Sequence, residues 1–137
     1  PRVLALDYGQ KRIGLAHTDL EKIIASPLDT VLTKDIFKYL IDYFHTQEVE
    51  AVVVGNPKTL SNKPALISGK INAFVKKIQE KFNVPVYMID ERFTSKIAIR
   101  TLVDANIKKK KRQDKSMIDK ISATLILQSY LDRNKDI

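Results

Sequence analysis

Val3-Leu4-Ala5-Leu6-Asp7-Tyr8-Gly9-Gln10-Lys11-Arg12-Ile13-Gly14-Leu15-Ala16-His17 is the stretch whose reading decides the fold. Four apolar residues run into Asp7, Gly9-Gln10-Lys11 makes a turn, and Arg12 to His17 return as a second strand, so the chain opens with a hairpin. An acid that ends a buried strand is costly to desolvate unless a cation compensates it. Asp7 is therefore the first candidate functional residue.

Outward from the hairpin, Ile23 to Ala25 and Asp29 to Leu32 predict a third strand interrupted at Ser26-Pro27, with Pro27 at a sheet edge or a bulge. Ile36, Phe37, Leu40, Ile41 and Phe44 recur at helical spacing, with Thr33 as a cap and Asp35 in the first turn. Ala51-Val52-Val53-Val54 reads as a central strand closed by Gly55-Asn56-Pro57, and Lys58 to Pro64 as a polar loop. A second stripe follows at Ile67, Ile71, Phe74, Val75, Ile78 and Phe82. Asn83 then precedes a strand from Val84 to Ile89. Thr94 or Ser95 caps a helix through Val103, and Ser116 caps a last helix to about Asp132. The order β-β-β-α-β-α-β-α-α predicts an α/β fold: a mixed five-stranded sheet, its first three strands antiparallel, with helices on its faces. No repeat or second domain is visible, so residues 1–137 read as a single domain.

The 137 residues carry a formal charge of +8 and a pI near 9.6, which favours a polyanionic partner, nucleic acid before an anionic membrane. There is no cysteine, which removes disulfides, thiolate zinc sites and cysteine nucleophiles. Two histidines, His17 and His45, are too few for a histidine-rich metal site, and four glycines leave no Walker A or dinucleotide fingerprint. His17, ending the second strand, is expected near the acids and reads as structural. No apolar run approaches the roughly 20 residues that span a bilayer. The N-terminus has no signal-peptide pattern, and the expected location is cytoplasmic.

Two further acids stand where elements aim them at the same end of this sheet. Glu91, in Asp90-Glu91-Arg92, follows the strand Val84 to Ile89, and Asp119 interrupts the apolar face of the last helix. Each has a plain alternative. Asp7 fits a turn, Glu91 fits an ion pair with Arg92 or Lys96, and Asp119 fits an exposed helix face. A divalent metal explains all three together, and the basic excess points that metal at a phosphate backbone.

Three motifs carry a resemblance. Ala5 to Ala16 is similar to the opening motif of the YqgF (RuvX) family, Asp90-Glu91-Arg92-Phe93-Thr94-Ser95-Lys96-Ile97-Ala98 resembles its Asp-Glu-Arg motif, and Asp119 to Asp132 resembles its C-terminal helix. Gly55-Asn56-Pro57 resembles its Gly-x-Pro segment, with Asn56 in place of a usual apolar residue; Ser122 stands where alanine is common. The resemblance covers essentially the whole chain. It implies a ribonuclease H-like fold and the activity of a candidate pre-16S rRNA nuclease, earlier described as a Holliday junction resolvase. It also implies that Asp7, Glu91 and Asp119 are the catalytic acids.

Phosphodiester hydrolysis fits this set through two Mg²⁺ or Mn²⁺ ions about 3.5–4 Å apart. Asp7 is expected to bridge them, with Glu91 on one and Asp119 on the other. Arg12 and Arg92 are expected either to clamp phosphate or to neutralise an adjacent acid. Lys108, Lys109, Lys110, Lys111 and Arg112 form an expected backbone clamp, or else a solvated loop. Tyr8, Gly9, Thr94 and Ser95 are further phosphate-contact candidates, with packing and capping as the plain readings. The expected partner is structured RNA, pre-rRNA before a DNA junction, and ribosomal precursor particles, met by a monomer or weak dimer away from membranes. The alternatives are a DNA junction resolvase and, in another class, a non-catalytic RNA-binding assembly factor. An actin-like ATPase would need a second domain and a glycine-rich nucleoside motif, and the sequence has neither.

Overall fold

The computed structural model describes residues 1–56, 65–90 and 115–135. Five strands form one sheet in the order β3-β2-β1-β4-β5. They are β1 (Arg2–Asp7), β2 (Arg12–Thr18), β3 (Ala25–Leu32), β4 (Val49–Asn56) and β5 (Val86–Asp90). β1, β2 and β3 pair antiparallel, while β4 runs parallel to both β1 and β5. This is the mixed sheet that the sequence predicts.

Alternation along the strands splits the core into two layers. Leu4, Leu6, Ile13, Leu15, Val52 and Val54 face α1 (Ile36–Thr46) and α2 (Ala65–Phe82), meeting Ile36, Leu40, Ile71, Phe74 and Ile78. Val3, Ala5, Ala16, Val53 and Ile89 face the other way, against Ala123, Ile126 and Leu127 of α3 (Lys115–Lys135). The helices therefore cover both faces.

Several local expectations change. Pro27 does sit on an edge strand, and the register slips opposite Leu15 and Ala16, so β3 is one bulged strand rather than two pieces. Ile23 lies outside β3, in a turn that Asp19 closes by accepting hydrogen bonds from the Ile23 and Ile24 amides at 2.7 and 2.9 Å. Thr33 does not cap α1. It begins a 3-10 turn, and its hydroxyl donates instead to the Gly9 carbonyl at 2.7 Å. Asp35 is the residue before α1, not one within its first turn. β5 starts at Val86 rather than Val84, because Asn83 ends α2 in the left-handed conformation (φ 53°) and the chain needs the next residues to turn. α3 begins one residue before Ser116 and runs past Asp132. The predicted loop from Lys58 to Pro64 and the helix through Val103 lie outside the described residues.

His17 is not near the acids. β2 runs antiparallel to β1, so His17 pairs with Leu4 while Gly14 pairs with Asp7. At about 3.3 Å per residue, His17 is about 17 Å along the strand from Arg12. Its Nδ1 and the Tyr43 hydroxyl share a hydrogen bond at 2.8 Å. Burial, and then the Arg2 charge, lower its pKa from 6.5. Burial also pushes the Tyr43 phenol up to about 12, so it stays protonated. An imidazole with a lowered folded pKa stabilises the protein fully above its unfolded value and loses that contribution as pH falls through the folded one. Urea midpoints should therefore drop between about pH 7.5 and pH 5.5 by more in the wild type than in His17→Gln. Equal drops would show that His17 does not carry the effect.

Candidate active site

The site grows from one register pair. Asp7, the last residue of β1, lies directly opposite Gly14 of β2. Directly opposed residues in an antiparallel pair share a face, and Asp7 has the parity of Val3 and Ala5, which face α3. Asp7 therefore points to the α3 side of the sheet. A side chain at Gly14 would point the same way and run into the Asp119 carbonyl; its Cβ would stand 3.0 Å from the Asp119 Cβ. Gly14 is thus the seat on which α3 sets Asp119 down beside Asp7. One helical turn on, Ser122 and Ala123 are small and buried, which keeps α3 close to the sheet there. The Ser122 hydroxyl has no hydrogen-bond partner among the described residues.

On the other flank of Asp7 the sheet also offers a glycine. Leu6 pairs with Val54, so one step further β1 and β4 bring Asp7 beside Gly55. Gly55 in turn pairs with Ile89 and Asn56 with Asp90. The carboxyl ends of β1, β4 and β5 thus line up. The parallel neighbour of β1 is β4, however, and β5 lies one strand further, about 10 Å from β1. Glu91 follows Asp90 and lies outside the described residues, as do Arg92, Thr94, Ser95, Lys108, Lys109, Lys110, Lys111 and Arg112.

Arg12, the first residue of β2, donates from Nε to Asp119 Oδ2 at 2.8 Å. Both side chains are partly exposed, 34% for Arg12 and 22% for Asp119. Of the two roles open to Arg12, neutralising an acid is the one seen. The turn that leads from Asp7 to Arg12 is tied down at two points. Thr33 donates its hydroxyl to the Gly9 carbonyl and its amide to the Lys11 carbonyl at 2.9 Å. An added Cβ at Gly9 would strike the Arg12 carbonyl, so the tight return to β2 requires glycine. Tyr8 points away from the acids, its ring 5.0 Å from Phe74, and so packs.

Among the described residues no group of three or more metal-ligating side chains forms; Glu91 lies outside them. The two acids present still fit a hard divalent ion. Their donors are all oxygen, and the Arg12 guanidinium already serves as a stand-in cation on Asp119.

Sequence reasoning selected Asp7, Asp119 and Arg12 but missed what holds them. Gly14 is a glycine inside a strand pattern, a mark of close backbone approach. Thr33 was legible only as a cap.

This sheet order, with helices on both faces, is that of a ribonuclease H-like fold. RuvC of T. thermophilus, in complex with a Holliday junction substrate, superposes with a TM-score of 0.61 at 16% identity, over 98% of this chain and 96% of that one. The fowlpox virus resolvase, in complex with Holliday junction DNA, gives 0.58 at 14% identity, over 98% and 99%. At such identities the likeness is one of fold. The chain belongs to the RuvX family, whose model, described as Holliday junction resolvase, matches residues 1–133. A relative from Christiangramia forsetii, named as a candidate pre-16S rRNA nuclease, is 50% identical over 95% of this chain and 97% of its own. Relatives of the same name from Flavobacterium psychrophilum and Phocaeicola vulgatus are 46% and 44% identical, covering 97% and 99% of this chain and 98% and 99% of their own.

Gly14→Ala is expected to destabilise the fold by about 1–3 kcal/mol, the usual effect of overpacking, and to displace Asp119. Urea denaturation checks the first, and loss of the Arg12 to Asp119 pair in the variant's structure checks the second. A variant as stable as wild type would show that α3 does not rest on this residue.

Proposed function

We propose that this chain is a metal-dependent nuclease that hydrolyses phosphodiester bonds in structured RNA, processing the 5′ end of pre-16S rRNA during ribosome maturation. In this reading residues 1–137 act as a single nuclease domain, a cytoplasmic monomer or weak dimer that meets ribosomal precursor particles. The observation that carries it is that Asp7 pairs with Gly14 and Asp119 of α3 packs on the same Gly14, in a chain of charge +8. The names of the RuvX relatives support RNA as the substrate.

Asp7, Glu91 and Asp119 would hold two Mg²⁺ or Mn²⁺ ions. Such ions, when bound, supply an activated water and stabilise the leaving oxygen. The chain's own residues supply placement. The hairpin holds Asp7, the glycine seat holds Asp119, and Glu91 is the next residue in sequence after β5. Arg92 and the run Lys108 to Arg112 neutralise backbone phosphates, with Thr94, Ser95 and the Gly9 backbone as further phosphate contacts. Tyr8 anchors the strand end against Phe74. No described helix is long and apolar enough to cross a membrane.

Asp7→Asn and Asp119→Asn are each expected to lower cleavage by about 100-fold or more while the protein stays folded, and EDTA is expected to stop cleavage by the wild type. Purified protein with matched RNA and DNA-junction substrates in Mg²⁺ or Mn²⁺ tests this. Undiminished cleavage by Asp7→Asn would remove the scheme. Replacing Lys109, Lys110 and Lys111 together with Ala should flatten the slope of log affinity against log salt by about 2; an unchanged slope would remove the clamp. The second reading, a DNA junction resolvase, is favoured by the description of the RuvX family. It requires preference for the junction substrate and a dimer at assay concentrations.

A further inference from the structure

We propose that Arg12 is the resident counter-cation of Asp119, which a divalent ion displaces on binding, so that metal loading frees this guanidinium to face incoming phosphate. The inference rests on the metal-dependent reading of the site and adds a residue that couples loading to substrate capture.

The pair is direct, Nε to Oδ2 at 2.8 Å, and spans 107 positions of sequence. Its acceptor is a hard carboxylate oxygen, so the guanidinium and an ion compete for the same lone pairs. Arginine stays charged at any working pH, so the carboxylate is not released by deprotonation of its partner. An ion competing for that oxygen releases it by displacement. The surroundings allow the side chain to move while the backbone stays. The Gly9 and Lys11 carbonyls are bonded to Thr33, which fixes the turn immediately before Arg12. The Arg12 side chain is 34% exposed and so has a path to solvent. Both partners therefore have something to gain: the carboxylate a doubly charged ion, and the guanidinium a phosphate that it matches as a bidentate fork. By linkage, whatever weakens the pair tightens metal binding by the same factor.

The test is a calorimetric Mn²⁺ titration of the full chain as wild type, Arg12→Gln, Arg12→Lys, Asp119→Asn and the Arg12→Gln/Asp119→Asn double variant. It is joined by ¹⁵N NMR of the arginine Nε–H resonances of the wild type during a Mg²⁺ titration. Arg12→Gln should bind Mn²⁺ about fivefold tighter than wild type, as loss of a partly exposed ion pair implies, with Arg12→Lys in between. The gain should vanish in the Asp119→Asn background. The Arg12 Nε–H resonance should move from a hydrogen-bonded to a solvent-exchanging position as Mg²⁺ saturates the protein. Wild-type binding with unchanged affinity in Arg12→Gln, or an unmoved resonance at saturation, would overturn the displacement and leave the metal reading standing. Folded variants and wild type that all fail to bind Mn²⁺ would overturn the metal reading and the displacement with it. The NMR arm uses wild type, so it decides even where Arg12→Gln fails to fold.

Discussion

The approach of α3 to the bare backbone of Gly14 is the constraint on which the rest of the molecule depends. It is a steric condition before it is an attraction. At this crossing the sheet presents no side chain, and the Asp119 carbonyl and Cβ occupy the room that one would take. What presses the helix down lies further along it, where Ala123, Ile126 and Leu127 are buried against Val3, Ala5, Ala16 and Val53. Burial of a large aliphatic side chain is worth about 1.5–3 kcal/mol, so Ile126 and Leu127 supply the force and Gly14 sets the distance.

That arrangement solves an electrostatic problem. Two carboxylates are brought to one end of the sheet, and desolvating them together is unfavourable. Arg12 offsets part of this within the chain, at a point where the hairpin turn delivers it to the α3 side. The other end of the same strand shows a contrasting solution. There His17 is kept neutral by burial and by Arg2 and shares a hydrogen bond with a protonated Tyr43. One strand thus carries an ionic end and a neutral, packed end.

Much of this was legible in the sequence because it follows from periodicity. The apolar run from Val3 to Leu6, the Gly9-Gln10-Lys11 turn and the return from Arg12 to His17 predict the opening hairpin, and the stripe from Ile67 to Phe82 predicts α2. Asp7 and Asp119 stood out because acids interrupt apolar patterns only at a cost. The errors share a cause: they concern which partner a polar residue finds across the fold. Thr33 reads as a cap, since capping is local, but its hydroxyl reaches the Gly9 carbonyl, 24 residues away. His17 reads as near the acids because strand order alone does not say which end of an antiparallel strand faces them; it pairs with Leu4 at the far end. Neutralising an adjacent acid is one of the two roles the sequence leaves open to Arg12, and only the crossing of α3 over β2 makes that acid Asp119. Glu91 and the basic run Lys108 to Arg112 lie outside the described residues, so their part of the site rests on the motifs.

Tyr8 has a mechanical consequence. Successive residues of extended chain point to opposite sides, so the residue after Asp7 is half-buried toward α2, where its ring meets Phe74, and Phe74 meets Phe37 of α1. The strand end is therefore gripped from beneath while its acid faces up. A swivel of the backbone about its own axis, which would re-aim the carboxylate, would have to drag an aromatic ring out of the opposite layer. Asp7 behaves as a fixed bearing, its aim set by the ring packed beneath it.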